Sequence, residues 1–129
     1  MVVTYSKQLA ALIGPTMIAI GATEAANMDA FANQAAPVVY LNGAILFVAG
    51  LAIVRTHNVW TWRWPAIITL SGWVALVGGV WRMAAPNAPQ APDNLLTYAV
   101  LAAIAAIGVL LSVIAYGEKV FATQRSTDV

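Results

Sequence analysis

Hydrophobic positions in this chain fall into four long runs, separated by short breaks of polar residues and proline. The runs cover about residues 9–26, 37–54, 65–82 and 95–116. None alternates strictly between apolar and polar positions, as a half-buried strand would. Each is close to the roughly 20 residues a helix needs to cross a hydrocarbon core about 30 Å thick. Lipid offers backbone groups no water, so a spanning segment must be a helix or part of a closed barrel. The pattern therefore predicts an all-α, integral membrane protein: a single transmembrane domain built as a four-helix bundle.

The breaks carry their own signals. In the third, AAPNAPQAPDN, proline recurs at every third position, which excludes helix and favours an extended spacer. Asp93 or Asn94 is placed to cap the helix that follows. The first break, NMDAFANQAA, sets Met28, Phe31 and Ala35 on one helical face. It is read either as a continuation of the first helix or as a segment lying flat at the surface. The polar tail GEKVFATQRSTDV is expected to fray. Lys7 ahead of the first run and Ala30-Phe31-Ala32 behind it resemble a cleavable signal. A signal peptide, however, keeps its cleavage site close to its apolar core, and here Glu24, Asn27 and Asp29 intervene, so four spans are expected to remain.

Composition agrees with a membrane setting. The chain is 61% hydrophobic and 9% charged, with a mean hydropathy of +0.79, whereas a soluble domain carries about a quarter charged residues. A formal net charge of +1 gives no reason to expect a nucleic-acid partner. The absence of cysteine excludes disulfides, thiolate metal sites and a cysteine nucleophile.

The sparse charges set an orientation. Lys7, Arg55, Arg63, Lys119 and Arg125 fall at the termini and the central connection. Arg82, with Glu24, Asp29 and Asp93, falls on the other side. Excess Lys and Arg stay cytoplasmic, so both termini and the connection are expected inside a bacterial cytoplasmic membrane. The connection HNVWTWRW (57–64) holds three of the five tryptophans and the only histidine. Indole rings settle at headgroup level, and Trp60, Trp62 and Trp64 with Arg55 and Arg63 would anchor the inner ends of the second and third helices. Trp64 and Trp81 bracket the third span at roughly 25 Å, close to the hydrocarbon thickness. A second reading makes His57, Trp60 and Trp62 a site for a cytoplasmic ligand or partner, with His57 able to titrate near neutrality.

Glycines recur seven apart: Gly14 and Gly21, Gly43 and Gly50, Gly72 and Gly79. Seven residues are two helical turns, so each pair shares a face on which backbones can approach closely. An offset of 58 residues superposes Leu12 on Leu70, Gly14 on Gly72, Gly21 on Gly79, Tyr40 on Tyr98, Ala44 on Ala102 and Gly50 on Gly108. Read as a duplication, this makes two repeated helical hairpins in the same orientation, related by an axis along the membrane normal.

Chemistry is scarce. Ionisable residues in a span are candidates for function because burying them is costly. Glu24 and Arg82 qualify, occupy matching positions under the offset, and with Asn42 would form an outer polar cluster. Tyr40 and Tyr98 lie at similar depth. The alternative is that both charges reach headgroups and Asn42 bonds a neighbouring helix. Thr16, Thr69, Ser71 and Ser112 can each bond their own helix backbone and need no special role. No Ser/His/Asp set, paired carboxylates, phosphate loop or metal-ligand spacing is evident, so neither an enzyme nor a cofactor is expected.

The block HNVWTWRWPAIITLSGWVALVGGVWRMAAP resembles a motif of small, uncharacterised bacterial membrane proteins of four predicted spans. In them a His-Asn-x-Trp loop leads into Ile-Thr-Leu-x-Gly-Trp, then a glycine and a final proline. His57, Asn58, Trp60, Ile68, Thr69, Leu70, Gly72, Trp73, Gly79 and Pro86 carry the resemblance, over about a quarter of the chain. It implies a shared fold and no activity, and it suggests that the connection and the start of the third helix do more than anchor. The leading expectation is a small non-enzymatic structural or accessory subunit, surrounded by lipid and packed against its own copies or a larger membrane complex through its glycine faces. The alternative is a small homo-oligomeric channel or transporter for a small solute or ion, with Glu24, Asn42 and Arg82 at its outer mouth.

Overall fold

The computed structural model of the protein describes residues 2–127. Its elements are α1 (Val2–Ala26), α2 (Met28–Ala32), α3 (Ala36–Thr56), α4 (Pro65–Ala84) and α5 (Leu95–Thr127), with no strand among the described residues. Four helices are long and apolar enough to cross a membrane: Thr4–Ala26, Ala36–Thr56, Pro65–Ala84 and Leu95–Gly117. They coincide with the four runs read from the sequence.

Helix ends follow local chemistry. Pro37 lies in the first turn of α3, and Pro65 opens α4, where a missing N–H removes no intrahelical bond. The Asn94 side chain accepts a hydrogen bond from the Thr97 N–H at 3.0 Å, capping α5. Residues 85–94, with their spaced prolines, form no helix. The first break adopts neither arrangement expected of it in full: α1 stops at Ala26, and a separate turn of helix, α2, buries Met28. The tail is helical through Thr127 rather than frayed. Its Glu, Lys, Ala, Gln and Arg are all good helix formers, so polarity there did not imply disorder. The side chains of Lys119 and Arg125, two of the expected inner charges, lie outside the described residues.

The chain divides into two compact units. One comprises residues 1–28 and 93–129, in which α1 packs on α5. The other comprises residues 29–92, in which α3 packs on α4. The helix that packs on α1 is therefore α5.

Glycine makes each pair possible. In the first unit a Cβ placed on Gly14 would stand 2.6 Å from the Ser112 Oγ and 2.9 Å from the Gly108 carbonyl oxygen. One on Gly21 would stand 2.8 Å from the Leu101 carbonyl oxygen. Rising numbers on α1 meet falling numbers on α5, so the helices are antiparallel. In the second unit a Cβ on Gly79 would lie 2.7 Å from the Gly43 carbonyl oxygen, and one on Gly50 would lie 2.7 Å from that of Gly72. This pair is antiparallel for the same reason. Moving the α1 positions forward by 58 and the α5 positions back by 58 reproduces the second set: Gly14–Gly108 becomes Gly72–Gly50, Gly21–Leu101 becomes Gly79–Gly43, and Gly21–Ala105 becomes Gly79–Phe47. Two units of different sequence thus use one packing register.

One feature of the first unit is absent from the glycine pattern. Pro15 lies inside α1. Proline has no N–H, so the carbonyl four residues earlier, that of Ala11, loses its intrahelical donor. The Tyr116 hydroxyl of α5 donates to that oxygen at 2.8 Å. A neighbouring helix satisfies the broken bond, which is how membrane helices tolerate proline.

Candidate functional site

Polar side chains of the second unit gather at the two ends of the α3–α4 pair. At one end the 57–64 connection folds back over the first turns of α4. His57 is the C-cap of α3, its N–H donating to the Ile53 carbonyl at 2.7 Å. The residue is 2% exposed, and Nδ1 lies 3.1 Å from the Thr69 Oγ1. Thr69 is itself completely buried. Its hydroxyl accepts from the Val59 N–H at 3.0 Å and donates to the Val59 carbonyl at 2.9 Å, with the His57 carbonyl farther off at 3.4 Å. A hydroxyl has one proton. If it serves the Val59 carbonyl, the contact with His57 requires Nδ1 to be the donor, which selects the Nδ1–H tautomer.

This corrects one expectation and refines another. Thr16, Ser71 and Ser112 do bond the carbonyls of Leu12, Ile67 and Gly108 on their own helices. Thr69 does not; it ties a loop to a helix across ten residues of sequence, because its position on α4 faces the returning chain. The expected patch of His57, Trp60 and Trp62 is likewise divided. His57 is inside, while Trp60 and Trp62 are exposed, and the Trp60 Nε1–H donates to the Asn58 Oδ1 at 2.8 Å. What the structure assembles here is a locked turn with two indoles displayed outside it.

Burial disfavours the charged imidazolium and lowers the His57 pKa below its ordinary value of 6.5, against a smaller raising effect from a hydrogen bond to its own backbone. A depressed histidine pKa means that the unfolded chain binds the proton more readily. The stabilising contribution is therefore complete above about pH 6.5 and is lost progressively as pH falls below it. The expected result is a lower melting temperature at about pH 5.5 than at about pH 8, with the difference reduced in His57→Gln. Equal pH dependence in the two proteins would remove His57 from this account.

At the opposite end of the unit, Arg82 in the last turn of α4 donates through Nη2 to the Gln34 Oε1 at 3.0 Å. Asn42 Nδ2 donates to the same oxygen at 3.3 Å. The Arg82 Nε is buried with no hydrogen-bond partner. Asn42 and Arg82 converge on one oxygen, that of Gln34. Gln34, which joins them, was visible only as one polar residue among several in the first break. Glu24, the third expected member, belongs to the other unit, where it is half-buried near the end of α1. Tyr40 and Tyr98 are both exposed.

Comparison with protein families, with curated proteins and with solved structures finds no match for this chain.

Proposed function

We propose that the protein is a small non-enzymatic subunit of a bacterial cytoplasmic membrane, structural or accessory, with both termini and the 57–64 connection on the cytoplasmic side. In this reading it assembles with its own copies or with a larger membrane complex, and the correspondence of its two packing registers reflects duplication of a helix pair. The observation that carries the reading is the surface left after the helices have paired. Leu12 and Ile20 of α1, Leu41, Ile45 and Val48 of α3, Val74 and Val77 of α4, and Val109 and Val113 of α5 all face outward. Only 17–22% of the most apolar stretch of each span is buried. Such a surface suits lipid and apolar helices of other chains. The glycines at seven-residue spacing do not supply the intermolecular contact, because each meets a helix of its own unit; the outward aliphatic faces would supply it. The lone histidine is engaged in holding a turn, which also favours a non-catalytic role.

The test is the mass of the particle extracted in mild detergent or native nanodiscs. Co-purification in fixed ratio with a larger complex, or a defined homo-oligomer without flux, is the expected result. A monomer alone in lipid would sink the subunit reading. The second reading, a small channel or transporter, is favoured by the polar cluster around Arg82. It predicts that a homo-oligomer passes a solute and that Arg82→Gln abolishes the flux without loss of fold.

A further inference from the structure

We propose that Arg82, Gln34 and Asn42 form an oxyanion site that holds a phosphate group. The site stands independently of whether the protein is a subunit or a transporter. Its stem is built first. Arg82 leaves α4 where α3 presents Gly43, and a Cβ on Gly43 would stand 2.8 Å from the Arg82 Cβ. Glycine at that position lets the guanidinium stem pass close to the facing helix. The tip is then held by Gln34 from the segment between α2 and α3, which Asn42 steadies from the second turn of α3.

Donors outnumber acceptors in the cluster. Gln34 Oε1 accepts from both neighbours, and Asn42 Oδ1 is the other acceptor, against the guanidinium and two carboxamide NH₂ groups. The Nε edge of the guanidinium is buried and unpartnered. Nε–H and Nη2–H of an arginine form a fork matched to two oxygens of one oxyanion. Gln34 offers one oxygen, so the Nε half of the fork is unmet, and because protein covers that edge an oxyanion engages it only as the Arg82 tip shifts off Gln34. The one carboxylate of the unit, Asp29, is exposed and is not a partner of Arg82. A cation with a buried donor at the margin of an apolar span calls for a counter-charge. Trp81, adjacent and outward-facing, marks the level at which indoles meet headgroups, which is also the level of phosphates.

The cluster is also not part of the shared packing register. The positions matching Gln34, Asn42 and Arg82 under the 58-residue offset are Pro92, Val100 and Glu24. The contacts that both units need are made by glycines; these three polar residues are an addition found in one unit only.

A phosphate could arrive on a lipid headgroup or free in solution, and one experiment separates the two. The full chain in a neutral sugar detergent and phosphate-free buffer is melted by its tryptophan fluorescence against short-chain phosphatidylglycerol, against inorganic phosphate, and against chloride at matched ionic strength. The wild type is expected to show a saturable rise in melting temperature above the chloride reference. Arg82→Gln should weaken the apparent affinity by about tenfold or more, the loss of a charged hydrogen bond. Arg82→Lys, which keeps the charge without the fork, and Asn42→Leu should each fall between the two. A rise with phosphatidylglycerol alone assigns a lipid headgroup; a rise with inorganic phosphate as well assigns a free oxyanion. No rise in the wild type, or equal responses in the wild type and Arg82→Gln, overturns the proposal. Should Arg82→Gln fail to fold, undiminished affinity in both Arg82→Lys and Asn42→Leu overturns it equally.

Discussion

Gly79→Ala is expected to destabilise the α3–α4 pair by about 1–3 kcal/mol or more, the range for forcing a methyl group into a packed interior, while Gly78→Ala one residue away is not. The difference is one of direction. A Cβ at Gly79 would stand 2.5 Å from the Phe47 N and 2.7 Å from the Gly43 carbonyl oxygen, backbone atoms that cannot rotate aside. The helices would have to separate and lose dispersion contacts along the seam, and in lipid little else drives their association. A Cβ at Gly78 would meet nothing within 4 Å. There alanine should even gain up to about 1 kcal/mol from its better helix propensity. Gly50→Ala should behave like Gly79→Ala, since its Cβ would strike the Leu76 N. Gly72→Ala should destabilise as well, since its Cβ would stand 2.9 Å from the Ile53 Cβ, which moves only with its backbone. Thermal melting in detergent of the Gly78 and Gly79 variants side by side decides the matter. Equal stability of the two would refute this packing.

Thr69→Val should cost on the order of 3 kcal/mol although it keeps the side chain's shape, since each buried polar group left unpaired costs about 1–3 kcal/mol. Valine cannot accept from the Val59 N–H or from the His57 ring, and it cannot donate to the Val59 carbonyl. His57 is buried and the Val59 backbone groups are half-buried. Thr69→Ser retains the hydroxyl and should stay within about 1.5 kcal/mol of the wild type, its loss being mainly one methyl group. A local reading complements the global one: freed from its tether, the connection should be cut faster by trypsin at the exposed Arg63. A Thr69→Val protein that melts with the wild type and resists trypsin equally would show that the hydroxyl ties nothing down.

The locked turn shows how far residue patterns reach. His57 and Thr69 both stand in the motif that the chain resembles, and the sequence assigned one to a loop and the other to a helix. Nothing in hydropathy or spacing says that they touch, because their contact depends on the angle at which the chain returns after Val59. Tyr116 is a similar case. Pro15 inside an apolar run announces an orphaned carbonyl at Ala11, but the donor comes from a helix about a hundred residues later. Gln34 was hidden among polar neighbours, and only the unpaired demands of Arg82 single it out.

By itself the sequence determined the four spans, their apolar character and the starts of α3, α4 and α5, since hydrophobic run length, proline at first turns and an asparagine cap act within a few residues of the backbone they control. It also displayed the glycines at seven-residue spacing, whose absent side chains mark the close faces whatever they meet. Which helix each face meets was decided only by the tertiary structure. Four glycine-bearing helices can be paired in several ways with nearly the same dispersion energy per contact. The choice of α1 with α5 and α3 with α4 rests on the summed fit of distant side chains, down to a tyrosine hydroxyl that answers a proline.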